Sequence, residues 1–239
     1  GGGVGWCRPE IHVIGCPPDG LWLGWYEAVL SSDAYLASGW ISIRIAVLVT
    51  LTSTLIGGAA AIGLHRRQLP GSQMIATFFL SPLVLPTIIY AIGMLMLWST
   101  LFGPVSLLTL WIGHTVVTIP YVVRTTLAVL SESDPFLEEA AQTMGAGRLQ
   151  RLWLVVIPQC IPGLIAGGFF AFNISFDEAV LSLFLRRPGL TTLPVQIYGQ
   201  LEFSPDPTVA AVSSIMIALT IVLIVVIDRL LGVQRFASS

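Results

Sequence analysis

The sequence predicts an all-α polytopic membrane protein: about five transmembrane helices, with one short water-facing helical loop between two of them. Three observations carry this expectation. Of 239 residues, 55% are hydrophobic and 10% charged, and the mean hydropathy is +0.86; a soluble domain carries about 25% charged residues. Five apolar runs, about 40–64, 74–98, 107–130, 152–176 and 209–231, each suffice to cross ~30 Å of hydrocarbon at ~1.5 Å per residue. The stretch 134–158, DPFLEEAAQTMGAGRLQRLWLVVIP, is neither a span nor a bare link.

Taken in order, residues 1–20 are rich in Gly and Pro and too broken to span a bilayer, so they read as an irregular N-terminal segment. They lack the continuous apolar stretch of a signal peptide. Residues 21–235 form the expected membrane domain. Within 21–38, Trp22, Trp25, Tyr26 and Val29 fall on one side of a short helix. That pattern fits an interfacial helix in the headgroup belt, or a loop packed on the spans. The first run contains Gly57 and Gly58 as small packing residues, and the second contains Pro82 and Pro86. The fourth has Pro158 and Pro162 in its first turns, with Gly163 and Gly167 in a small-xxx-small contact pattern.

All eleven cations are arginine, and most mark one side. Arg66 and Arg67 follow the first run, Arg148 and Arg151 lie between the third and fourth, and Arg229 and Arg235 end the chain. In an alternating five-span arrangement these three segments share a side, which the positive-inside rule makes cytoplasmic. Arg186 and Arg187 fall opposite. Arg44 and Arg124 sit near run ends, where their side chains can snorkel to the interface. His114, alone in the third run, reads as hydrogen-bonded between helices. The net charge of −2 and the absence of a basic run give no sign of nucleic-acid binding. Of the three cysteines, Cys160 reads as packing, while Cys7 and Cys16 allow a disulfide if that end faces an oxidising space.

In the stretch 134–158, Asp134 is placed to cap a helix with Pro135 at its first position, where a missing N–H costs nothing. Phe136, Ala140 and Met144 recur every four residues on one face, and Gly145 stops the helix. Glu138 and Glu139 have no histidine or ligand cluster beside them in sequence, so they read as a helix face near a positive dipole end rather than as a catalytic pair. A second polar set, Asn173, Asp177 and Glu178, ends the fourth run. Asn173 and Asp177 share a helix face, and Asp177 lies ~28 Å along the helix from Pro158. Carboxylates at such depth point to a solute pathway, with a wet helix end as the alternative. The segment 186–208 reads as a loop shaping the outer mouth. There is no phosphate-binding loop, H-E-x-x-H or G-x-S-x-G pattern. No catalytic residue, metal site or cofactor is therefore expected.

Glu139, Ala140 and Ala141, three residues, Gly145, nine residues, then Val155, Val156, Ile157 and Pro158 resemble the EAA loop of binding-protein-dependent ABC importer permeases. Val155 and Ile157 stand where that pattern has Ile and Leu. Ile174 to Glu178, followed by Thr191, Thr192, Leu193, Pro194 and Val195, resemble the spermidine/putrescine branch. The resemblance covers about residues 17–232. It implies a multi-pass subunit of the bacterial inner membrane, itself not an enzyme, with Glu139, Ala140, Ala141 and Gly145 as the ATPase-coupling surface. It also implies ABC ATPase subunits, a second homologous permease, an extracytoplasmic solute-binding protein and surrounding membrane lipid. The implied cargo is a polyamine. A same-fold importer of ferric iron, sulfate or sugar, or an ion-driven secondary transporter, are the alternatives. Such permeases usually carry a further transmembrane helix just before Pro17, so on the resemblance the chain is N-terminally shortened or its start lies upstream.

Overall fold

The computed structural model describes residues 24–65, 71–134, 136–203 and 207–231. The expectations for residues 1–20, Trp22, Arg66, Arg67, Pro135 and Arg235 lie outside them. Among the described residues the chain is helical, with no strand beyond a single bridge between Arg187 and Leu190. The helices are α1 (Gly24–Ser31), α2 (Asp33–His65), α3 (Ser72–Leu80), α4 (Thr87–Leu101), α5 (Leu107–Glu132), α6 (Phe136–Thr143), α7 (Arg148–Arg151), α8 (Ile157–Asp177), α9 (Ala179–Phe184), α10 (Leu193–Phe203) and α11 (Thr208–Leu231).

Among the described residues four helical stretches are long and apolar enough to cross a membrane: Asp33–His65, Leu107–Glu132, Arg148–Asp177 and Thr208–Val226. Apolar side chains such as Leu51, Leu55, Ile217 and Ile221 are exposed, as a hydrocarbon solvent permits. The second apolar run is not one continuous helix. It breaks at Pro82 and Pro86 into α3, a short 3₁₀ turn and α4, and the two arms are bent by 99°. Proline removes a donor and clashes with the preceding turn, so two of them within five residues end one helix and start another. The Pro86 carbonyl restarts the ladder by accepting from the N–H groups of Ile89 and Tyr90.

Residues 24–38 also differ in part from expectation. Residues 33–38 belong to α2 rather than to a separate interfacial segment, and α1 packs along α11, with the Tyr26 and Ser214 hydroxyls 2.9 Å apart. The segment 186–208 is not a plain loop, because α10 fills its centre.

By contacts the described residues fall into two units. One holds Ala46–Tyr90 and Trp111–Ser175. Its core is a close approach of α2, α5 and α8 through small residues. A Cβ on Gly167 would stand 2.8 Å from the Val122 Cα, and one on Gly163 2.8 Å from the Thr126 Cα. Only glycine allows backbones this near, as the spacing predicts. Gly57 likewise faces Val122 and the Ile119 carbonyl. Hydroxyls supply the polar glue: Ser53 and Thr118 lie 2.6 Å apart, and Thr52 accepts from the Trp111 indole at 3.2 Å. Buried His114 has Nδ1 3.0 Å from the Ser175 hydroxyl, the interhelical bond expected of it. Cys160 packs with Leu130 and Val156, as its apolar setting suggested.

The other unit holds the described residues up to Ile45, Ala91–Leu110 and those from Phe176 onward. Here the Ser42 hydroxyl accepts from the Leu193 N–H at 2.8 Å, tying the start of α10 to α2. Arg187 donates to the Val105 carbonyl at 3.1 Å.

Candidate functional site

The loop between α5 and α8 is built as a capped knob. The Asp134 carboxylate accepts from the Phe136 N–H at 2.9 Å, which satisfies an otherwise unpaired donor of the first turn of α6. At the other end Gly145 has φ +87°. Its N–H donates to the Gln142 carbonyl and the Ala146 N–H donates to the Ala141 carbonyl, both at 3.0 Å. This pair of bonds closes the helix as a Schellman turn, whose left-handed residue favours glycine. Ala141 is buried, whereas Glu139 and Ala140 are exposed. Phe136 and Met144 are 69% and 82% exposed, so the predicted apolar face of α6 points outward with no described partner on it.

Beyond Gly145 the Gln150 side chain reaches back to accept from the Gly147 N–H at 2.9 Å and starts α7. The helical ladder then passes through five π-helical residues, Leu152–Val156, directly into α8. The fourth membrane helix therefore begins at Arg148, four residues before the apolar run does, because a cap at Gly147 is available and apolarity is not needed to start a helix.

The two glutamates divide. Glu139 faces out. Glu138 turns inward, 4.0 Å from the Arg151 Nε, and Arg151 Nη1 hydrogen-bonds the Gln142 side chain. Sequence reading assigned Arg151 to the charge bias alone and missed this link. The available signal was that Glu138 and Gln142 stand four apart on one helix face.

The second polar set is not one cluster of free carboxylates. Asn173 donates to the Phe169 carbonyl of its own helix at 3.0 Å. Asp177 is the last residue of α8 and is exposed. Glu178 breaks the helix instead of continuing it: with ψ 97° it caps α9, its carboxylate accepting from the Leu181 N–H at 3.0 Å. Of the three, Asp177 is the most exposed side chain. Among the described residues no three of His, Cys, Asp and Glu are grouped to hold a metal ion.

Residues 53–235 match the family model described as "Binding-protein-dependent transport system inner membrane component". The chain belongs to that family. It is accordingly a multi-pass inner-membrane transport component and not an enzyme. Among its relatives, the putrescine transport system permease protein PotI of Escherichia coli K12 is 29% identical over 208 residues, covering 82% of this chain and 74% of PotI. The spermidine/putrescine transport system permease protein PotC of Haemophilus influenzae is 28% identical over 201 residues, covering 84% and 78%. The sulfate transport system permease protein CysT of Salmonella typhimurium is 29% identical over 222 residues, covering 86% and 79%. The fold is shared with an inward-facing MetNI methionine ABC transporter at TM-score 0.72 and 19% identity, over 84% of this chain and 95% of that one. A bacterial ABC transporter that imports alginate matches at TM-score 0.67 and 13% identity, over 92% and 86%. These likenesses place the all-α fold among ABC importer permeases. Members of the family work with a binding protein and an ATPase.

Proposed function

We propose that residues 21–235 are the transport domain of an ATP-driven polyamine importer. The observation that carries this is the capped α6 knob with an outward apolar face, in a chain whose relatives include PotI and PotC. In this reading two ATPase subunits grip α6 on the cytoplasmic side. Glu139, Ala140 and Ala141 supply the contact surface, and Gly145 sets the angle of the knob. A second, similar permease completes the route, and an external binding protein delivers the solute. Closure of the ATPase pair displaces α6 and, through α7, moves α8. Asn173, Asp177 and Glu178 line the outer part of the route, with Asp177 as the charge that meets a cation in transit. The exposed Asp177 carboxylate offers a cation one opposite charge at the helix end, and a single acid still lets it leave.

A sulfate-type cargo is the second reading, favoured by the CysT relationship and by exposed Arg186. The test is co-expression with the genes flanking this one, affinity capture of this chain, and calorimetry of the captured binding protein with spermidine, putrescine and sulfate. Capture of an ATPase and a second permease, with polyamine binding, is expected. Binding of sulfate alone would replace the cargo, and capture of no ATPase would overturn the importer.

A further inference from the structure

The turn that joins α6 to α7 is held by backbone and capping bonds and has open space around Gly145. It contains Gly145 at φ +87° and the extended Gly147, and no heavy atom lies within 4 Å of a Cβ built on Gly145. A polar cleft of about 470 Å³ opens beneath α6, lined by His65, Asp134, Glu138, Gln142, Arg148 and Arg151 among others. Packing alone therefore does not hold the knob at one angle to the span. One side chain reaches across. Arg151 is the last residue of α7; its Nη1 donates to Gln142, and its Nε lies 4.0 Å from the Glu138 carboxylate, a charge contact and not a hydrogen bond. Those two partners lie one helical turn apart on α6, so the contact resists both rocking and rotation of that helix. On its other side Arg151 continues without a break into the π-helical turn and α8. Its side chain is 16% exposed and that of Glu138 32%, so water only partly screens the pair.

We propose that Arg151 is a positioning residue that clasps the α6 knob to the base of α8, so that displacement of α6 moves the span instead of being lost in the Gly145 turn. This rests on the coupling role assigned to α6 above. The planar guanidinium suits the task because it directs a donor at Gln142 while holding its spread charge beside Glu138, which a lysine ammonium on a flexible stem does not.

The test has two arms. In the first, spin labels at Leu137→Cys and Leu154→Cys, with the native cysteines replaced by alanine, report the distance between knob and span in the full chain. A narrow distribution is expected for the parent and a broad one for Arg151→Ala. Arg151→Lys should be intermediate, and the swap Glu138→Arg with Arg151→Glu should narrow it again. A distribution that stays narrow in Arg151→Ala overturns the clasp, whatever transport does. In the second arm, the transporter assembled with its co-expressed ATPase is reconstituted, and solute moved per ATP hydrolysed is measured. Arg151→Ala should still bind the ATPase and hydrolyse ATP while the ratio falls about tenfold, with partial recovery in Arg151→Lys. An unchanged ratio beside a broadened distribution overturns the positioning role. If the parent chain captures no ATPase, the importer reading fails, and the spin-label arm still decides whether the clasp exists.

Discussion

The hydroxyl of Thr125 on α5 donates to the backbone carbonyl of Gly163 on α8 at 3.0 Å. Helices rarely approach closely enough for this, and here they do because Gly163 and Gly167 present no side chains to α5. In a bilayer, association of spans depends on such packing and on interhelical hydrogen bonds, since lipid tails compete equally well for apolar surface.

The contact predicts that Gly167→Val is destabilising. The new side chain meets the Val122 Cα and the Thr125 hydroxyl, neither of which can yield without moving α5. Overpacking of this kind costs about 1–3 kcal/mol. Thermal melts in detergent should register the loss, together with a smaller monodisperse fraction. Gly93→Ala, with nothing within 4 Å of its new Cβ, should melt like the parent. Equal melting of the two variants would contradict the packing account.

Gly145→Asp should abolish transport while the protein still inserts in the membrane. Space is open at this position and Asp tolerates a left-handed backbone better than most residues with a Cβ, so the cost comes chiefly from a new charge on the proposed docking surface. Gly145→Asn adopts that conformation more readily and should retain more transport than Gly145→Ala. The check is uptake in vesicles normalised to membrane-inserted protein. Normal uptake by Gly145→Asp would mean the loop is a mere linker.

Asp177 and Glu178 should separate by role. Asp177→Asn removes a charge from an exposed helix end and should lower polyamine uptake several-fold, with ATPase assembly and solute capture by the external binding protein unchanged. Glu178→Gln keeps a carbonyl oxygen able to cap α9, whereas Glu178→Ala loses the cap at a cost of about 1 kcal/mol. The alanine variant should therefore melt earlier than the glutamine variant. Unimpaired polyamine uptake by Asp177→Asn would reduce Asp177 to a wet helix end.

Topology gives a further test. Cysteines introduced at Gln142 and Ser238 should both resist an impermeant reagent in intact cells, because the arginine bias puts α6 and the C-terminus on the cytoplasmic side. Labelling of either from outside would refute that orientation.

The sequence by itself determined the class, the apolar runs and the knob. Each rests on local chemistry: composition sets the solvent, run length sets a crossing, and Asp134 and Gly145 cap α6 through atoms a few residues away. Even Gly163 and Gly167 were legible, because small residues at helical spacing have few other uses in a span. Other features needed the tertiary structure. Pro82 and Pro86 were visible, but whether prolines kink a span or break it by 99° depends on what surrounds the freed carbonyls. The same limit hid the bond between Ser42 and Leu193, 151 residues apart, and left the partner of His114, Ser175 at 61 residues, unnamed. It also concealed the inward turn of Glu138 toward Arg151 while Glu139 stayed in water. Adjacent identical carboxylates are distinguished only by which face of α6 the rest of the fold covers, and a one-dimensional pattern holds no record of that cover.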